Sequence, residues 1–191
     1  MDGPIVGVLA LQGDFEAHAR MLRALGAQPR EVRTPAGLAG LSALVIPGGE
    51  STVMTLGIER EGLADPLREL ADGGMPLLGT CAGMIMLDRD HLSILDIRTR
   101  RNAFGRQLRS FEADLDVAGF DGATGPLRAV FIRAPWVEEH GAGVEVLASI
   151  EGHPVAVRDH DLCAVAFHPE LGDEPRIHGW LVERARGWRR A

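Results

Sequence analysis

Leu77-Leu78-Gly79-Thr80-Cys81-Ala82-Gly83 reads as a strand that runs into a helix through one cysteine. The apolar residues up to Gly79 suit the end of a buried strand, and Ala82-Gly83-Met84-Ile85-Met86-Leu87 suits the opening of a helix. Cys81 falls on the bend between them. Glycines two positions before and two after it strip side-chain bulk from the turn, so the turn can be sharp and can hold its middle residue out in the open. That is the geometry of a nucleophile elbow, with sulfur in place of the serine oxygen. The N–H groups and partial positive charge of a helix N-terminus favour thiolate over thiol at this point. A free cysteine more often packs inertly in the core. The glycine spacing, and the base described below, argue for the reactive reading.

Working outward, the same strand–turn–helix pattern recurs. Ile5-Val6-Gly7-Val8-Leu9-Ala10-Leu11 is a continuous apolar run, suited to a strand buried on both faces of a parallel sheet. Asp14 can cap a helix in which Phe15, Ala19, Leu22 and Leu25 recur at helical spacing, and Gly26 is placed to stop it. Ala43 to Ile46 is a second strand, followed by a helix from Ser51; Pro76 to Leu78 is a third, followed by the helix from Ala82. Repeated βα units imply parallel strands with helices on both faces. After Leu87 the texture changes. Strands are expected at 95–100, 111–115, 128–132, 144–148, 155–158 and 163–167, part of them as an antiparallel extension of the sheet. A closing helix carries Ile177, Trp180, Leu181, Ala185 and Trp188 on one apolar stripe, with the tryptophans as core anchors.

The chain has 191 residues, enough for a single α/β domain over 1–191 with a sizeable core. Twenty basic against 27 acidic residues give a net charge of −7, and the only basic cluster is the short end at Arg184, Arg186, Arg189 and Arg190, which argues against nucleic acid as a partner. No run approaches membrane-spanning length and the N-terminus lacks a basic region, so a cytoplasmic location is expected. Cys81 and Cys163 stand far apart with no Cys-x-x-Cys pairing, and the seven histidines show no metal-ligand spacing. Neither a disulfide framework nor a metal site is expected.

A cysteine that attacks an amide needs a base, a group to orient the base, and donors for the oxyanion. His168-Pro169-Glu170 can supply the first two. If the strand ending at Phe167 continues extended, His168 and Glu170 project to the same side, and Pro169 favours that geometry. Glu170 would hold the imidazole in one tautomer, as the third member of a triad does. For the oxyanion the candidates are the backbone N–H of Ala82 and one from Pro47-Gly48-Gly49-Glu50-Ser51, a turn at the carboxyl end of a parallel strand where ligands of open α/β sheets collect. Gly48-Gly49 permits a peptide flip, which would let an N–H, that of Gly49 included, point into or away from the site. Glu50 places a carboxylate near, suited to an ammonium group.

Six segments together carry a resemblance: Gly7-Val8-Leu9-Ala10-Leu11-Gln12-Gly13, Pro47-Gly48-Gly49-Glu50-Ser51-Thr52, Gly79-Thr80-Cys81-Ala82-Gly83, Arg101-Asn102-Ala103-Phe104-Gly105-Arg106-Gln107, Phe131-Ile132-Arg133-Ala134-Pro135 and Phe167-His168-Pro169-Glu170. The chain resembles the glutaminase subunits of pyridoxal 5′-phosphate synthase, from its first strand to its last helix. The resemblance implies a class I, triad-type glutamine amidotransferase fold, a flavodoxin-like three-layer α/β sandwich, needing no cofactor. It implies Cys81 as nucleophile, His168 as proton relay and Glu170 as its orienting partner, with an oxyanion hole at Gly49 and Ala82. It also implies glutamine contacts at Gly48, Gly49, Glu50, Arg101, Ile132 and Arg133. The physical reading agrees, since an arginine can grip an α-carboxylate and Glu50 can pair with an α-ammonium. The ammonia would pass to a separate synthase subunit in a large hetero-oligomer, on which glutaminase activity would depend.

Two departures stand out. The family has a longer loop where this chain has only Leu87-Asp88-Arg89-Asp90-His91-Leu92-Ser93, and it places Glu before the first-helix histidine where this chain has Ala17 before His18. Three alternatives stay open from sequence. One is the glutaminase of another triad enzyme, such as imidazole glycerol phosphate synthase. The second is a cysteine hydrolase of the DJ-1/PfpI type, and the third is a catalytically silent regulatory subunit.

Overall fold

The computed structural model describes residues 3–104, 110–120, 125–172 and 174–188. Gly105, Arg106 and Gln107 of the fourth segment above, and Arg189 and Arg190, lie outside them.

The core is one seven-stranded sheet. Its parallel part is built from β1 (Ile5–Leu9), β2 (Gln28–Val32), β3 (Ala43–Ile46), β4 (Leu77–Thr80) and β11 (Leu162–Val165). Two antiparallel strands, β10 (His153–Asp159) and β9 (Glu145–Ile150), extend it, and the spatial order is β2-β1-β3-β4-β11-β10-β9. β3 and β4 are buried at every position, as strands covered on both faces must be. Helices α1 (Phe15–Ala24) and α5 (Arg176–Gly187) pack together against β1 and β3, while α2 (Ser51–Arg60) packs on α4 (Ala82–Leu87), which rests on β3, β4 and β11. This makes the expected three-layer α/β sandwich.

Local chemistry explains the boundaries. Asp14 caps α1 by accepting from the Ala17 N–H at 3.1 Å, and Gly26, at φ 79°, turns the chain out of it. Trp180 is buried in α5 as expected. The short 87–93 connection is tied by the buried Asp88, which accepts from His91 Nδ1 (2.7 Å), the Thr99 hydroxyl (2.5 Å) and the Asp90 N–H (2.9 Å).

Several sequence expectations change. β2 was not expected: Gln28-Pro29-Arg30-Glu31-Val32 is a half-exposed edge strand and so carries no apolar run. Two helices, α2 and then α3 (Ala64–Asp72), fill the space where one was read. Of the later strands, β9 and β10 form the antiparallel extension that was expected of part of them, β11 joins the parallel part, and the others lie outside the main sheet. β5 (Ile97–Arg100) pairs with an unexpected β8 (Trp136–His140), and β6 (Ser110–Leu115) pairs with β7 (Leu127–Ile132), as two separate antiparallel ribbons. Phe111 stacks on Phe131 at 4.7 Å and Phe131 packs edge-on to Phe167 at 5.6 Å, which anchors the second ribbon beside His168. The last parallel strand ends at Val165 rather than Phe167.

Candidate active site

A cavity of about 420 Å³ opens at the carboxyl edge of the parallel strands. Each strand end delivers part of its wall: Gln12 follows β1, Gly49 to Ser51 follow β3, Cys81 and Ala82 follow β4, and His168 follows β11. The ribbons close the other side with Arg101 and Asn102 after β5, and with Ile132 and Arg133 at the end of β7.

Cys81 has φ 48° and ψ −106°, a conformation that L-residues rarely adopt. Its N–H is held by the Val165 carbonyl at 2.8 Å and its carbonyl accepts from the Met84 N–H at 3.1 Å, so both neighbours clamp the turn. Gly79 and Gly83 let α4 approach the strands: a Cβ on Gly83 would overlap the Ile46 carbonyl, and one on Gly79 would stand 2.7 Å from the Gly83 oxygen. The elbow read from the glycine spacing is therefore present. The thiol lies 3.8 Å from the Ile132 carbonyl, and Cys81 as a residue is only 6 % exposed, so the elbow presents it to the cavity rather than to the open surface.

His168 and Glu170 do meet, but not by strand alternation. Pro169–Leu171 is a single 3₁₀ turn, with Pro at its first position, where the ring's fixed φ and missing N–H are tolerated. The turn carries Glu170 back under the imidazole, and His168 Nδ1 donates to Glu170 Oε1 at 2.7 Å. Burial alone would push the His168 pKa down. Hydrogen bonding to Cys81 and then to Glu170, reinforced by their charges, lifts it to about 10. Both groups favour the charged imidazole, which stands hydrogen-bonded to Glu170 on one side.

The other expected residues are placed as follows. Gly49, Glu50, Ala82, Arg101, Ile132 and Arg133 all line the cavity. Gly48 is not among the lining residues; it packs behind, where a Cβ would stand 2.5 Å from His168 Cε1 and 3.3 Å from Cys81 Cβ, so its missing side chain makes room for those two residues. Glu50 caps α2, accepting from the Thr52 N–H at 3.4 Å. The Arg101 guanidinium donates to the Ser51 hydroxyl and to Thr52 Oγ1 at 3.2 Å. Gln12, given no role of its own by the sequence, lines the cavity, and its Oε1 accepts from the Glu50 N–H at 2.5 Å. Its place just past β1, on the ligand-collecting edge, was the available signal. Among the described residues no cluster of metal-ligating side chains is present, and no helix is long and apolar enough to cross a membrane.

A mostly parallel sheet with a cysteine elbow at its carboxyl edge is the architecture of the class I glutamine amidotransferases. A solved structure described as a glutamine amidotransferase superposes with a TM-score of 0.87 at 45 % identity, covering 95 % of this chain and 98 % of that one. The model of the SNO glutamine amidotransferase family matches residues 8–186, and the chain belongs to that family. A curated relative from Frankia alni, pyridoxal 5′-phosphate synthase subunit PdxT, is 51 % identical over 195 residues, covering 97 % of both chains. Its namesake from Dehalococcoides mccartyi is 50 % identical over 194 residues, covering 96 % of this chain and 98 % of the relative.

Proposed function

We propose that this chain is the glutaminase subunit of a pyridoxal 5′-phosphate synthase, hydrolysing L-glutamine to L-glutamate and ammonia for a separate synthase subunit. The observation that carries the reading is the shared wall of one cavity roomy enough for one amino acid, where the Cys81 elbow and a His168 hydrogen-bonded to Glu170 meet. The family membership and the PdxT relatives support the choice of substrate and of ammonia acceptor.

In this mechanism Cys81 Sγ adds to the side-chain amide carbon of glutamine, and the carbonyl oxygen becomes an oxyanion facing the N–H groups of Ala82 and Gly49. His168 gives its proton to the amide nitrogen, the C–N bond breaks, and ammonia leaves a γ-glutamyl thioester. A water molecule then adds to the thioester with His168 as base, and the C–S bond breaks to release glutamate and restore Cys81. Glu170 keeps the Nδ1 proton of His168 in place, so that Nε2 faces the reaction. Arg101 and Arg133 suit the α-carboxylate, and Glu50 suits the α-ammonium. Gly49, at φ 152°, sits in a turn whose next N–H is already held by Gln12. A peptide flip of Gly48-Gly49 on docking of the synthase would complete the oxyanion hole and so make activity depend on the partner.

The test is glutamate release from glutamine by the purified chain, alone and with the synthase subunit, against Cys81→Ala. Activation by the synthase that the mutant lacks is the expected result. Equal rates with and without the synthase would refute the flip, and no turnover in either state would refute the assignment.

A further inference from the structure

Behind Glu170 lies a row of polar side chains that the reaction above does not use. Oε1 of Glu170 is engaged by His168, whereas Oε2 is buried with no hydrogen-bond partner among the described residues. A ring nitrogen faces it: Nε2 of His18, on α1, stands 3.4 Å away, and the same nitrogen is 3.3 Å from Thr80 Oγ1 at the end of β4. His18 Nδ1 is in turn 2.8 Å from His178 Nε2 on α5. Both rings are completely buried, and Nδ1 of His178 has no partner among the described residues.

Counting donors selects the tautomers. If His18 carried its proton on Nδ1, its Nε2 lone pair could accept from the Thr80 hydroxyl, but His178 would have to keep an orphaned N–H in the core. With both protons on Nε2, His178 donates to His18 and the His18 N–H has Thr80 Oγ1 within hydrogen-bond reach at 3.3 Å, with Glu170 Oε2 beside it at 3.4 Å, so that the groups left unmatched, a lone pair of His178 and Oε2 of Glu170, are acceptors and no buried donor is orphaned. An unmet buried donor is the costlier fault, so the second arrangement wins. Burial keeps both rings neutral, as the arrangement needs.

We infer that His18 and His178 are positioning residues, a directed pair that fixes the Glu170 carboxylate from behind while His168 holds it from the front. The inference rests on the reading of His168 and Glu170 as triad members. Two imidazoles in an apolar core cost more than two hydrocarbon side chains of the same volume, which a purely space-filling role leaves unexplained. Glu170 also sits on a turn of only three residues, and the turn by itself does not fix the plane of its carboxylate.

Imidazole ¹⁵N NMR of the whole unmodified chain tests the tautomers directly. Neutral Nε2–H forms of both His18 and His178 at pH 7 are expected, and an Nδ1–H or charged His18 would overturn the inference. The same spectra follow His168, whose midpoint of about 10 should fall by about one unit, a tenfold change, in His18→Met. It should return in His18→Gln, whose amide nitrogen can occupy the Nε2 position. In the assembled complex, His18→Met should lower kcat about tenfold, the scale of an orienting partner one contact removed from the chemistry, with KM within about twofold. An unmoved His168 midpoint with unchanged kcat, or a change in KM alone, would overturn it. Should His18→Met not fold, the wild-type tautomers and His18→Gln decide. The NMR readouts need no substrate, so a chain that fails to hydrolyse glutamine would refute the proposed function without deciding this inference.

Discussion

Arg101 stands at the cavity rim with its guanidinium on the hydroxyls of Ser51 and Thr52 rather than on a carboxylate. A rim arginine held by neutral hydroxyls keeps charge to offer a ligand, and its planar fork matches an α-carboxylate. The reacting amide of glutamine is remote from that carboxylate, so the contact is made equally in ground and transition states. Arg101→Ala is therefore expected to raise KM for glutamine about 10- to 100-fold, the equivalent of about 1.5–3 kcal/mol for a charge-assisted hydrogen bond, and to leave kcat nearly unchanged. Steady-state kinetics of the assembled enzyme separates the two constants. An equal fall in kcat and kcat/KM would instead place Arg101 on the developing charge.

At the scale of elements, the elbow depends on backbone contact between α4 and β3. A Cβ at Gly83 would overlap the Ile46 carbonyl and stand 3.3 Å from the Pro47 oxygen, so backbone must move to admit it. Overpacking of this kind costs about 1–3 kcal/mol, and at this chain length Gly83→Ala should lower Tm by about 3–10 °C and take the Cys81 reactivity with it. Gly179 in α5, where a Cβ meets nothing within 4 Å, is the control, and Gly179→Ala should hold or raise Tm. The same contrast explains what the sequence disclosed. Gly79 and Gly83 announced the elbow because close approach leaves a mark in residue type, and the apolar runs of β1, β3 and β4 announced buried parallel strands. β2 and β8 stayed hidden because edge and ribbon strands expose Gln28, Glu31, Glu138 and Glu139 and so lose their apolar signature. The pairing of His168 with Glu170 was legible, but its cause was not: strand alternation and a 3₁₀ turn both place residues two apart near each other, and the backbone angles alone tell them apart. His18 and His178 lie 160 positions apart, a separation across which spacing carries no information.

Across the whole molecule, the buried histidines tilt stability in opposite directions on the two sides of pH 6.5. Burial lowers His178 to about 4; it also holds His18 well below its usual 6.5, with His178 and His168 adding to the effect. As pH falls from 6.5 towards 4 the unfolded chain takes up protons at both positions and the folded chain does not, so stability falls with falling pH. His168 works the other way. Its folded value is raised to about 10, so its contribution is fully present below 6.5 and is lost as pH rises through 10. Below that dome, Asp88 adds a further acid step, because its hydrogen bonds from His91 and Thr99 outweigh burial and hold its carboxyl under the usual 3.8. Exposed pairs such as Arg128 with Glu112 and Asp114 contribute little and are screened by salt, so the dome should survive high ionic strength. Thermal unfolding of the free chain against pH is expected to peak near 6.5, with His178→Gln flattening part of the acid limb and His168→Ala flattening the alkaline one. If wild-type Tm stayed level from 6.5 to 10, His168 would not hold its proton in the free chain, and the acid that expels ammonia would have to be charged only after glutamine binds.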